Sequence, residues 1–330
     1  MIRGDGIRRN IAQVDADEVA ALIGAIKELN ARQYPGTRDE LPVGGVSFWF
    51  KQDEIHQATH VHRGPEFLPW HRELCNRFEQ LIRLVDPRLS LHYWDWTTDP
   101  SPLFTSEVMG AKAGDVGEPW LSAGFYDPNA DPYRGDDPFD PKHANPFDPP
   151  RTLTRAVQGG VPLLAFGDSD IIGAPDYHGM RIKLEASHDD AHGYVGGTIG
   201  NGHTAFRDPF VFLLHANIDR LFAMWQYQLP VQRLDPQTVY GLDPQDPLWY
   251  VRNLSPWDGT GQIRPWHPPE RERVLKNYQH PSVVTPPQYD TLPIPAEIGD
   301  GAATQRKLDE LRHLLEDPAL REAVKSLLPA

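Results

Sequence analysis

One stretch constrains this chain more than any other. Between residues 208 and 226, Phe210, Phe212, Leu213, Leu214, Ile218, Leu221, Phe222 and Trp225 follow one another so densely that no single helix face can hold them. A helix that is apolar on most sides must be buried on most sides. The rest of the chain therefore has to supply covering helices. Asp208-Pro209 marks the start of this segment. Set into it is His215, flanked by Leu213, Leu214 and Ile218. A buried imidazole needs partners for its ring nitrogens, and a metal ion is one way to supply them.

Covering helices are readable on both sides. Residues 15–30 carry Val19, Leu22, Ile23, Ile26 and Leu29 at three- and four-residue spacing. A less clearly marked helix is expected over 46–60. A third opens at Pro69, which suits a first helical position, and runs through Trp70, Leu74, Phe78, Leu81 and Leu84 to Asp86-Pro87. A short helix is expected over 182–192, closed by Gly193. Between these lie long connections. The chain has 33 prolines in 330 residues, about twice the roughly 5% of ordinary usage, and 27 glycines. Residues 97–161 read as an irregular excursion, and 264–295 are again proline-rich. Loops of that length in compact domains are often functional. The tail recovers helical spacing in Leu308, Leu311, Leu315, Leu320, Val324 and Leu327. The fold class is mainly α, with long Pro/Gly-rich loops.

The net charge of −14 argues against nucleic acid as a partner, since phosphate binding needs clustered Lys and Arg. The single cysteine, Cys75, excludes an intrachain disulfide and reads as a small buried hydrophobe. No run approaches 18 apolar residues, so no membrane span is expected. The first residues lack the apolar core of a signal peptide. A cytoplasmic location is the expectation, with export alongside a signal-bearing partner left open.

The 14 histidines are clustered. His56, His62 and His71 form one group, with His60 as a spare, and His188, His192 and His215 form another. His188 and His192 are four apart, so a helix presents both imidazoles on one face a turn apart, as two ligands of one metal require. All-imidazole sites suit Cu, Zn, Fe or Ni and disfavour oxygen-seeking ions. Neither HExxH nor CxxC is present, so the usual zinc signatures are missing.

The run from His62-Arg63-Gly64-Pro65 through Phe67-Leu68-Pro69-Trp70-His71-Arg72 resembles the first copper signature of the tyrosinase, catechol oxidase and molluscan haemocyanin superfamily. The run from Asp208-Pro209 through His215-Ala216-Asn217-Ile218-Asp219-Arg220 to Trp225-Gln226 resembles the second. Tyr93-Trp94-Asp95-Trp96, His192-Gly193-Tyr194-Val195-Gly196-Gly197 and Arg8-Arg9-Asn10 are similar to further family stretches. The resemblance spans about residues 7 to 290. It implies an antiparallel four-helix bundle holding a type-3 dicopper centre, with His56, His62 and His71 on one copper and His188, His192 and His215 on the other. His60 is the rival to His56. The implied co-substrate is O2 and the implied substrate a small phenol. A domain of residues 1–295 would carry the chemistry. Residues 296–330 would form a helical tail on the core or on a neighbouring subunit of a homo-oligomer.

The chain also departs from the family pattern. Leu214 stands where many relatives have a second adjacent histidine, and Val211 where many have Phe. No cysteine precedes His62, so the Cys–His thioether of some members cannot form. Asp189 follows His188, where tyrosinases often carry Asn, and Glu185 lies three residues before His188. Either carboxylate is a candidate general base toward a phenol hydroxyl. Asp219 and Arg220, just past His215, are candidates for a buried pair bracing that helix. Trp70, Trp94 and Trp96 read as core. The reading is a phenol oxidase acting on monophenols, o-diphenols or both. An o-aminophenol oxidase and a haemocyanin-like O2 carrier are the alternatives.

Overall fold

The structure is a computed structural model. It describes residues 2–32, 47–59, 61–117, 120–122, 151–202, 204–228, 233–234 and 286–292. The expected 296–330 tail, the boundary at 295 and the ligand rival His60 lie outside these residues.

The apolar segment forms α6, Phe210–Gln226, and almost every residue along it is buried. Its first turn is anchored by Asp208, whose carboxylate accepts from Phe210 N at 3.0 Å and from Arg155 at 2.7 Å through both oxygens. α3, Phe67–Val85, packs along α6, and Phe78 stacks on Phe212 with ring centroids 3.7 Å apart. α3 starts two residues before Pro69. A proline within the first turn removes no helical hydrogen bond, so the helix extends past it toward its N-terminus. α1, Ala16–Ala31, covers α3 and α2 (Phe48–Thr59) with Leu22, Ile23, Ile26 and Leu29. Asp17 and Glu18 lie in its first turn, favourable toward the positive end of the helix.

α4 is a short helix, Asp168–Ile172, that packs on α5 and α6. α5, Tyr177–Val195, is longer than the sequence suggests at both ends. Asp176 caps it by accepting from Gly179 N at 2.7 Å. It runs through Gly193 and stops at Gly196, whose φ of 64° breaks the helix without a Cβ penalty.

The excursion at 97–161 is not irregular throughout. β1 (Ala113–Asp115) pairs antiparallel with β4 (Thr154–Ala156), and β2 (Leu121–Ser122) with β3 (Arg151–Thr152). These two-residue and three-residue strands are too short to show alternation in sequence. The N-terminal segment lies as a strap across the helices, bridging Arg8 to Tyr289 and Asn10 to Tyr93. Trp70, Trp94, Trp96 and Cys75 are all buried in the core. Among the described residues, no helix is long and apolar enough to cross a membrane.

Candidate metal centre

Four helices and one loop bring the six histidines together. His56 comes from α2, His62 from the α2–α3 loop and His71 from the start of α3. His188 and His192 come from α5, and His215 from the middle of α6. Each triad offers three nitrogens within 4.8 Å of one another. The triads face each other: His71 and His215 stack at 4.9 Å between centroids, and His62 lies 5.9 Å from His188.

The hydrogen bonds on the far side of the rings fix which nitrogen faces inward. His71 Nδ1 sits 2.8 Å from Phe67 O, His192 Nδ1 2.8 Å from Ile199 O and His215 Nδ1 2.8 Å from Val211 O. A carbonyl oxygen only accepts, so each Nδ1 carries the proton and each Nε2 presents a lone pair to the centre. Because Val211 contributes through its backbone, its departure from the family's Phe leaves this bond intact. His188 Nδ1 contacts Asp189 Oδ1 at 3.0 Å. This is the outer-shell pattern of metal-bound imidazoles.

The residues fit a metal. His71 Nε2 and His192 Nε2 are buried with no hydrogen-bond partner. His188 Nε2 and His215 Nε2 face each other at 3.3 Å, each with its proton on the other nitrogen. Two lone pairs so placed repel unless a cation lies between them. For imidazoles bound at roughly 2.0–2.1 Å, the range for zinc, a tetrahedral angle separates two ligand nitrogens by about 3.3 Å. Burial, together with the neighbouring imidazoles, holds His71, His188 and His215 well below the ordinary histidine range, and burial lowers His192 too. The rings are therefore neutral, the form that binds metal.

A match over residues 46–228 to the family model described as the common central domain of tyrosinase covers more than half of the chain. The chain belongs to the tyrosinase family. It is 30% identical over 277 residues to a tyrosinase from Streptomyces lincolnensis, covering 76% of this chain and 92% of that one. Its fold is similar to deoxygenated hemocyanin from Rapana thomasiana (TM-score 0.54, 21% identity, 92% of this chain and 74% of that one). It is also similar to a polyphenol oxidase from Thermothelomyces thermophila (TM-score 0.52, 21% identity, 75% and 74%). Family membership and the two triads make this a copper-dependent phenol oxidase, with O2 as co-substrate. Copper is well suited to imidazole ligands, and it binds a given nitrogen site more tightly than the other divalent first-row metals.

Aromatic rings wall the centre. Phe206 lies 4.3 Å from His56 and 4.8 Å from His215 between centroids, and Phe67 lies 4.7 Å from His71 and 5.1 Å from His188. Trp70 packs on His71 at 4.9 Å. Phe206 was not legible as a site residue. Its one signal is its place just before Asp208-Pro209, and its contacts are tertiary.

The two carboxylates are near the centre, but their oxygens are directed elsewhere. Asp189 bonds His188 on the Nδ1 side, away from the metal-facing Nε2, and pairs with the Arg63 guanidinium through its other oxygen. Glu185 is buried, accepts from Arg63 N at 2.6 Å and lies 3.4 Å from Arg181. Burial pushes its carboxyl up, against the pull of the Arg63 N–H and of both arginines. Arg63 itself has φ 62°, a backbone that costs a non-glycine residue about 1–2 kcal/mol.

Behind the centre, Asp219 is braced by Arg8 and Arg72, not by Arg220 as expected. It accepts from Arg8 Nη1 at 3.1 Å, from Tyr289 OH at 2.7 Å and from Arg72 Nε. Arg220 follows Asp219 directly, so on a helix it points about 100° away. It reaches Asn217 at 2.8 Å and Asp168 at 3.1 Å.

Proposed function

We propose that this phenol oxidase works best on o-diphenols, and that α2, α3, α5 and α6 form an antiparallel four-helix bundle around its centre. The observation that carries the substrate reading is the engagement of Asp189 and Glu185. Hydroxylating a monophenol calls for a phenolate, and a phenol with a pKa near 10 is ionised to only about one part in a thousand at pH 7. A free carboxylate on the metal face would meet that demand. Here Asp189 holds His188 and Arg63, and Glu185 holds the Arg63 peptide.

His56, His62 and His71 would hold one copper, and His188, His192 and His215 the other. Bound there, the metal pair supplies O2 binding and two-electron oxidation, so that two o-diphenols and one O2 yield two o-quinones and two waters. The chain's own residues position and exclude. The carbonyls of Phe67, Ile199 and Val211 orient three imidazoles, Asp189 orients a fourth, and Phe67, Trp70 and Phe206 keep the walls dry. A dry wall strengthens each electrostatic contact inside it.

The test is a set of paired rates on one copper-loaded preparation with catechol, a tyrosine-like monophenol and o-aminophenol. Catechol should turn over fastest. A monophenol rate equal to it or above it would overturn the substrate reading, and o-aminophenol as the best substrate would replace it. The apolar stripe of residues 296–330 would then pack on the core or on a neighbouring subunit. Truncation after 295 should then lower stability or change the oligomeric state, as read by size-exclusion chromatography.

A further inference from the structure

Arg63 stands out among the described residues as the one non-glycine with a left-handed backbone. The position would suit glycine, and Gly64 follows directly, yet an arginine is found. Its left-handed φ turns its N–H onto Glu185 Oε1, 2.6 Å away on α5, while its guanidinium pairs with Asp189, one turn further along the same helix. The second oxygen of Asp189 contacts His188 Nδ1 at 3.0 Å. Arg63 is joined by a peptide bond to His62. A continuous path therefore runs from His62 in one triad through Arg63 and Asp189 to His188 in the other, across a ring separation of 5.9 Å.

The pair is not placed for stability. The Arg63 side chain is 71% exposed and that of Asp189 39% exposed, and ion pairs so open to water contribute little to folding. What the pair fixes is geometry. The loop that carries His62 has no helix of its own, so its position relative to α5 depends on contacts such as these.

We propose that Arg63 is a positioning residue, a clasp that holds the His62 loop on α5 and keeps Asp189 on His188, setting the geometry of both copper triads at once. This rests on the reading of the triads as copper sites. Losing a group that orients a metal-bound imidazole lowers metal affinity by roughly 10- to 100-fold. Groups acting through one path are also not additive.

The experiment measures copper affinity, site by site, by competition with a chelator on the full chain. The proteins compared are the parent, Arg63→Ala, Asp189→Ala and the double variant. Each single variant should lose about 10-fold in affinity at the His188 site, and the double variant about the same rather than about 100-fold. Arg63→Lys should recover part of the loss. Arg63→Gly relieves the backbone while removing the guanidinium, so it serves if Arg63→Ala folds poorly. Its thermal midpoint should match or exceed the parent's while its copper affinity falls. Losses that multiply, or unchanged affinity in Arg63→Gly, would overturn the clasp and leave the copper sites standing. A parent protein that takes up no copper would overturn the copper reading and the clasp with it.

Discussion

Asp219 offers the sharpest test of how the centre is braced. Its carboxylate is buried and accepts from two guanidiniums and one phenol hydroxyl. Arg72 follows His71 on α3, and Asp219 lies one turn after His215 on α6, so this pair ties together the two helices whose histidines stack at 4.9 Å. Asp219→Asn keeps the shape but removes the charge, and either way round its amide NH2 meets a guanidinium, which can only donate. Arg8 keeps Glu79 at 2.8 Å, and Arg72 keeps Gln226 at 2.8 Å, a neutral partner. Breaking a buried ion pair from one side costs about 3–5 kcal/mol. At about 2 °C per kcal/mol for a chain of this size, the midpoint should fall by about 6–10 °C. The assay is thermal unfolding of the metal-free protein by far-ultraviolet circular dichroism. Asp86→Asn, which breaks the exposed pair with Arg88, is the control and should leave the midpoint in place. An Asp219→Asn midpoint within 2 °C of the parent would mean that the two arginines are satisfied without this carboxylate and that it braces nothing.

Two further outcomes follow from the same structure. Burial opposes ionisation of Glu79, but Arg8 and Arg83 outweigh it and hold its carboxyl at about 2, below the ordinary 4.5. A depressed folded pKa gives stability that is present above about pH 4.5 and lost as the pH falls toward 2, about 3 kcal/mol in all. Urea unfolding at pH 5, 4 and 3 should show this slope, and Arg8→Met should flatten it; an unchanged slope would refute the pairing. A Cβ at Gly197 would lie 2.2 Å from Thr154 O at φ 56°. Gly197→Ala should therefore lose stability by more than the roughly 1–3 kcal/mol of backbone strain alone, while Gly114→Ala, at φ 70° with nothing within 4 Å, should stay near that range in the same denaturant titration.

The histidines were legible because a metal needs several imidazoles on shared faces, and the spacing of His188 and His192 and the burial of His215 write that requirement into sequence. The helices were legible where an apolar stripe marks them. The sequence points to a start at 182 for α5 because Tyr177-His178-Gly179 carries no stripe, whereas the true start depends on the Asp176 cap. The roles of Arg63, Phe206 and Arg8 were not legible. Arg63 meets Glu185 across 122 residues, and Arg8 meets Asp219 across 211, so neither contact leaves a local pattern. The β1–β4 pair leaves no sequence signal because its three-residue strands are too short to show alternation. It supports the site indirectly: Thr154 O accepts from Thr198 N at 2.8 Å, next to the Ile199 carbonyl that orients His192.

Each of the two histidine triads is expected to hold one copper. The most direct measurement is copper content per chain after reconstitution and removal of loose metal, made on the parent and on His71→Ala and His192→Ala. The parent should hold about two coppers, and each variant, missing one buried ligand nitrogen from a different triad, about one. A parent that holds one copper or none, or variants that both keep two, would contradict the claim.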